Sequence, residues 1–279
     1  VIDPGLDGVK VTEVASLSAI LDGGTPVGPY SSARPGMLLR VVPGVGRFLA
    51  LEGRRLEYWR EPGALPGTVE AMLQGGVFGA LIHQRGELPL HATTLVHPGR
   101  DLAVAVAGDS GAGKSTTAFA LIRRGWVLLS DDLSRITLED GKPTARPGRS
   151  HLRLLADACA HFGLDTGALT PVPHWPGKYQ VELPRWDRPL RLAAMVVLRR
   201  SDGQFGLDRC TGAAAAAALA EQTYRAHYVA ALGQTRRHFE LIAGASAEVK
   251  VLRSRGRAGV EEVAAAIEAA TAIGATLQP

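Results

Sequence analysis

The sequence predicts an α/β fold: a P-loop catalytic domain over residues 76–279, preceded by a small, mostly β N-terminal domain over residues 1–75. Three observations predict it. Leu102 to Ala107 is a short continuous apolar run, Gly108 to Gly113 is a glycine-rich loop, and Trp126 to Ser130 is a second apolar run ending in Asp131-Asp132. Apolar runs without alternation mark strands covered on both faces. A helical stretch from Lys114 to Arg124, closed by Gly125, lies between them. Strand, loop, helix and strand in that order imply a parallel unit.

Residues 1–75 are rich in glycine and proline. Met37 to Val42 and Arg47 to Leu51 read as strands between Pro35-Gly36 and Pro43-Gly44 turns, and Arg55 to Trp59 alternates as a strand does. Val77 to His83 is apolar enough for a buried helix or strand. Leu88 to Val96 reads as a strand pair, or as one strand kinked at Pro89. Further along, Leu192 to Leu198 and Glu248 to Leu252 read as strands. The alanine run Ala213 to Ala220 reads as a helix, because alanine is the strongest helix former. Val260, Val263, Ile267 and Ile273 stripe a last helix. No internal repeat is present.

Composition narrows the function classes. At 279 residues the chain has room for roughly two domains of ~150 residues. Hydrophobic residues make up 46% and charged ones 21%, which argues against disorder. No apolar run reaches the ~20 residues of a membrane span, and no signal-like segment opens the chain. Cys159 and Cys210 form no C-x-x-C pair, so a reducing cytoplasm is expected. The net charge of +4 comes from arginines and lysines spread without a run, so no nucleic-acid partner and no membrane partner is expected. A homo-oligomer stays open.

Gly108-Asp109-Ser110-Gly111-Ala112-Gly113-Lys114-Ser115 matches G-x-x-x-x-G-K-[ST] in full. Glycine, lysine and hydroxyl frequencies in this chain give roughly 0.007 chance matches, so the motif is informative. Glycines let the backbone curl its N–H groups toward phosphate oxygens, and the following helix adds its N-terminal dipole. Residues Gly108 to Ser115, with Thr116, are therefore expected to bind the phosphates of ATP. Lys114 is expected to reach the β- and γ-phosphates, and the Ser115 hydroxyl to hold Mg²⁺.

Asp131 and Asp132 end the strand that follows, where ligands collect in open α/β sheets. Asp131 is assigned as the base and Asp132 as a metal ligand, and the reverse assignment fits the same motif. His91 lies 17 residues before the P-loop, where a lone histidine after apolar residues reads as structural or as a functional group. His151, Cys159 and His161 lack a fourth ligand for zinc.

Leu90-His91-Ala92, the G-D-S-G-x-G-K-S loop, and Arg124-Gly125 leading to Leu129-Ser130-Asp131-Asp132 together resemble the catalytic domain of HPr kinase/phosphorylase. The resemblance is specific over about residues 80 to 135. The family's E-x-R-G-x-G-I stretch is absent, with Arg153 in His151-Leu-Arg as a possible remnant. Pro147 to Leu154 and Thr223-Tyr224-Arg225 are more similar to the shortened HPr-kinase-like proteins of lasso-peptide biosynthesis. That resemblance implies ATP- and Mg²⁺-dependent phosphorylation of a serine on a precursor peptide or protein partner. It implies His91, Asp131, Lys114 and Arg225 as catalytic residues, with Lys178 an alternative to Arg225 as the active-site cation. An amphipathic helix continuing the alanine run is the plain alternative for Thr223 to Tyr228. An HPr-type kinase/phosphorylase, a small-molecule P-loop kinase and a non-catalytic nucleotide-binding regulator are the competing readings.

Overall fold

The computed structural model describes residues 6, 8–173 and 175–272. Two compact units form. One takes in the described residues up to Pro89 together with Thr223–Leu241. The other takes in Leu90–Gln222 and the described residues from Ile242 onward.

The first unit is built on a six-stranded sheet. Its strands are β1 (Lys10–Glu13), β2 (Thr25–Pro26), β3 (Ser31–Arg34), β4 (Met37–Val42), β5 (Gly46–Leu51) and β6 (Arg55–Arg60), in the order β1-β6-β5-β4-β3-β2. β3 to β6 form an antiparallel meander, and β1 joins β6 in parallel. The alternation in these strands buries Leu38, Phe48, Ala50 and Leu56. Helix α1 (Pro66–Met72), begun by a proline, leads through a π turn at Leu73–Val77 into α2 (Phe78–Gln84).

The sequence placed the end of the first domain at residue 75, but the division falls at Pro89. The physical reason is α2, which packs on β5 with Leu81 and Ile82 buried. Gln84 fastens it, accepting from the Gly53 N–H at 2.8 Å and donating to the Ala50 carbonyl. Residues 223–241 return to this unit. The Tyr224 N–H donates to the Pro89 carbonyl, and the Tyr224 carbonyl accepts from His83 Nε2 at 2.9 Å. Thr223 to Tyr228 does not continue the alanine helix. Arg225 turns the chain with φ +53° before a 3₁₀ turn at Ala226–Tyr228.

β7 (Leu88–Leu90) carries the chain into the second unit. There follow β8 (Ala92–Val96), β9 (Ala103–Gly108), α3 (Lys114–Arg123), β10 (Val127–Ser130), β11 (Ser134–Glu139) and β12 (Lys142–Arg146). β13 (His151–Leu155), α4 (Ala156–His161), β14 (Thr170–Pro171), β15 (Lys178–Glu182) and β16 (Leu190–Leu198) come next. β17 (Gly206–Cys210), α5 (Gly212–Glu221), α6 (Thr235–Glu248), β18 (Lys250–Arg255) and α7 (Val260–Ala272) complete the described chain. Ile273, the last residue of the expected apolar stripe, lies outside the described residues.

The main sheet of this unit runs β10-β8-β9-β16-β12-β11, with β18 against β16 and β17 against β18. It is a mixed sheet. β9, β16 and β18 are parallel neighbours, whereas β8 is antiparallel to both β9 and β10. The strand after the P-loop helix is therefore parallel to β9 but separated from it by β8. Pattern reading had placed the two side by side. α3 and α7 pack together, closing a core that contains Val104, Val106, Leu121, Leu128, Val196 and Ile267. Burying each such side chain contributes about 1.5–3 kcal/mol.

A separate three-stranded sheet has the order β13-β15-β14. Leu152, Leu154 and Val181 turn into the core from it. Directly opposite pairs on its other face are His151 with Glu182, Arg153 with Gln180, and Leu155 with Lys178.

Candidate active site

The site forms within the second unit, at the C-terminal end of β9. All six residues of β9 are buried. The loop that follows depends on glycine at defined points. Gly108 has φ +140°, and a Cβ there would lie 2.5 Å from the Leu198 carbonyl oxygen of the parallel neighbour β16. Gly113, at φ +98°, is the residue that starts α3. Both conformations are costly for residues with a side chain. The Lys114 ammonium folds back over the loop, donating to the Gly108 carbonyl at 2.8 Å and the Asp109 carbonyl at 3.1 Å. Burial lowers its pKa, while Asp132 and Asp131 oppose that shift and favour its charge.

Strand β10 delivers the aspartates, and the two have different environments. Asp131 is only 3% exposed. Thr93 Oγ1 donates to its Oδ1 at 2.6 Å, and the Arg153 N–H to its Oδ2 at 3.3 Å. Burial and the neighbouring Asp132 push its pKa up, against the pull of these two bonds and of Arg149. Asp132 sits in a left-handed conformation, φ +66°. Its side chain is 36% exposed, with Oδ1 3.4 Å from His91 Nε2 and Oδ2 3.9 Å from Arg149 Nη1. Burial alone would raise the Asp132 carboxyl. The His91 hydrogen bond and the charges of His91, Arg149 and Arg153 instead hold it well below the usual carboxylate range.

His91 lies between β7 and β8, so of the two expected readings of Leu88 to Val96 the structure has two strands rather than one kinked at Pro89. Gln222 ties this break to the P-loop. Its carbonyl accepts from the His91 N–H at 2.8 Å, and its side-chain Oε1 accepts from the Gly108 N–H at 2.9 Å. Sequence reading missed Gln222, and it missed Thr93 and Arg149 as well. A glutamine after an alanine helix, or a threonine in an apolar strand, carries no motif.

A cavity of about 500 Å³ opens beside Gly113 and Thr116. Phe205, Arg199, Arg200 and Arg257 help to line it. Its volume suits a nucleoside.

Of the expected site residues, the structure gathers Gly108 to Ser115, Thr116, His91, Asp131 and Asp132 in one unit. Lys178 belongs there too, and its charge acts on Lys114. Arg225 belongs to the other unit. Among the described residues, no set of three or more His, Cys, Asp or Glu side chains is arranged to hold a metal ion, so the zinc idea for His151, Cys159 and His161 gains no support. A magnesium ion has a different requirement. It takes hard oxygen donors and keeps several waters and phosphate oxygens, and the Ser115 hydroxyl and Asp132 carboxylate are donors of that kind.

A buried parallel strand, a glycine loop capped by its own lysine, and a helix starting at that lysine define the class: an α/β domain with a P-loop. No family model matches the chain, and no curated protein does. Among solved structures, the chain is similar to the Hpr(Ser) kinase/phosphatase from Coxiella burnetii. That likeness has 13% identity and a TM-score of 0.34, and it covers 65% of this chain and 91% of the other. The assignment of function rests on the geometry of the site itself. Among the described residues, no helix is long and apolar enough to cross a membrane.

Proposed function

We propose that the chain is an ATP- and magnesium-dependent kinase acting on a serine hydroxyl of a peptide or protein. A lasso-peptide-type precursor is the substrate class implied by its motifs. The observation that carries this reading is the His91–Asp132 pair, an outward-facing, ionised carboxylate in the same site as a lysine-capped P-loop. A carboxylate held ionised beside a histidine supplies the proton acceptor that transfer to a hydroxyl requires.

The loop amides and Lys114 hold the transferred phosphoryl group and offset charge as it moves in line. The Ser115 hydroxyl would hold a magnesium ion, which would supply Lewis-acid charge neutralisation at the phosphate oxygens. Asp132 accepts the proton of the attacking serine hydroxyl, and His91 orients it. This reverses the sequence-based order of the aspartates. Geometry comes before pKa in choosing a base, and Asp131 has both oxygens engaged in the interior. In this assignment Ser115 would hold the metal while Asp132 would serve as the base. The 500 Å³ cavity receives the nucleoside. Mass spectrometry of serine peptides incubated with the protein and Mg-ATP tests the reading. A serine gaining 80 Da supports it, and nucleotide binding without phosphopeptide across a broad peptide set overturns it.

A further inference from the structure

The outer face of the small sheet borders the site and is not used in the phosphoryl-transfer reading above. Arg153 connects the two, because its own N–H is bonded to Asp131 Oδ2. In antiparallel pairing, directly opposite residues share a face and diagonal ones remain within side-chain reach. The register Arg153↔Gln180 and Leu155↔Lys178 therefore makes Arg153 and Lys178 diagonal neighbours on the face away from the core. Lys178 lies 4.8 Å from the ring centre of Trp175, which is 56% exposed. The charge of Lys178 acts on Lys114 and that of Arg153 on Asp132, which puts both cations in the electrostatic surroundings of the site.

Two polar nitrogens on this face are buried and lack a hydrogen-bond partner among the described residues: the donor Arg153 Nε and the ring nitrogen His151 Nε2. A guanidinium N–H removed from water and left unsatisfied is costly, and an anionic acceptor relieves it. The other charged groups near the face are Glu182 opposite His151, the Asp131–Asp132 pair, Arg149 and Lys114.

We propose that this face binds an acidic segment of the acceptor peptide, a side-chain carboxylate docking between Arg153 and Lys178 while the neighbouring serine reaches Asp132. The proposal deepens the kinase reading and rests on it for the position of the serine. Charge complementarity selects the occupant. A strand rises about 3.3 Å per residue, so the carboxylate belongs within a few residues of the hydroxyl.

The test uses the full chain and two short synthetic peptides, one with a serine followed by two glutamates and one with glutamines in their place. Calorimetry without nucleotide reads binding independently of catalysis. The acidic peptide is expected to bind about tenfold more tightly than its neutral twin, and Arg153→Gln or Lys178→Gln to remove that advantage. Lys114→Ala is expected to preserve it, and both sheet variants are expected to bind Mg-ATP as the parent does. Lys178 is a partly exposed surface residue, so its variant guards against misfolding of Arg153→Gln. Equal binding of the two peptides overturns the inference. So does loss of the advantage in Lys114→Ala, which would place the carboxylate in the P-loop. A short single-stranded oligonucleotide that binds through Arg153 while the acidic peptide does not would overturn it too. Arg153-dependent peptide binding without any phosphate transfer would overturn the kinase reading and leave the docking face standing.

Discussion

His91 Nε2 lies 3.4 Å from Asp132 Oδ1, and Asp132 itself has a left-handed backbone, φ +66°. One residue earlier, Asp131 points inward to Thr93. Two adjacent and chemically identical residues thus have opposite environments, which sets up a separation by mutation. Asp132→Asn is expected to lower kcat by about 10²–10⁴ with little change in thermal stability, because an amide cannot accept the serine proton. Asp131→Asn is expected to lower the unfolding midpoint instead, through its buried bonds to Thr93 and Arg153. Turnover and thermal unfolding of both variants check this, and a stable but inactive Asp131→Asn would restore the original order.

Lys114→Ala removes a charge aimed at developing phosphoryl charge. Turnover with Mg-ATP is expected to fall about 10²–10³-fold while circular dichroism keeps the native spectrum. Turnover near that of the parent in a folded variant would exclude the P-loop from the reaction.

Gln222 joins the first P-loop glycine to the backbone of His91 and is itself buried. Gln222→Ala leaves the buried Gly108 N–H without its acceptor, at a cost of about 1–3 kcal/mol. Its KM for ATP is expected to rise, because the loop is held less firmly before the nucleotide arrives. Gln222→Glu, which keeps an oxygen at that position, is expected to recover most of the affinity. Identical KM values for parent and Gln222→Ala would remove the positioning role.

His83 is buried in the first unit, and burial pulls its pKa down from 6.5 to about 4. Between these values the unfolded chain binds the extra proton and the folded chain does not, so stability rises with pH. The contribution is complete above pH 6.5 and is lost as pH falls toward 4, amounting to about 3 kcal/mol over the full window. Its Nε2 faces the Tyr224 carbonyl, so it carries the proton there and donates. His83→Gln keeps a donor and cannot titrate. Denaturant unfolding at pH 4.5 and pH 7 is expected to show a smaller difference for the variant than for the parent. Some acid sensitivity should persist, since His151 is lowered to about 4 as well. An unchanged difference would mean that His83 is not the acid-sensitive group.

What the sequence determines by itself is local. Gly108 to Ser115 marks a phosphate loop because each glycine answers a backbone requirement, a positive φ or an approach closer than a Cβ permits, and such requirements are written residue by residue. Apolar runs without alternation likewise mark β9, β10 and the core of β16, since burial on both faces needs no partner to be named. Partnership itself is decided only in the tertiary structure. The insertion of β8 between β9 and β10, the return of residues 223–241 to the first unit, and the bonds from Gln222 and Thr93 all join residues far apart in the chain. No periodicity records such pairings. The two aspartates make the same point at the scale of a single peptide unit. Both stand at a strand end in the motif, and only Thr93, from β8, and His91, before it, decide which carboxylate is buried and which one is partly exposed.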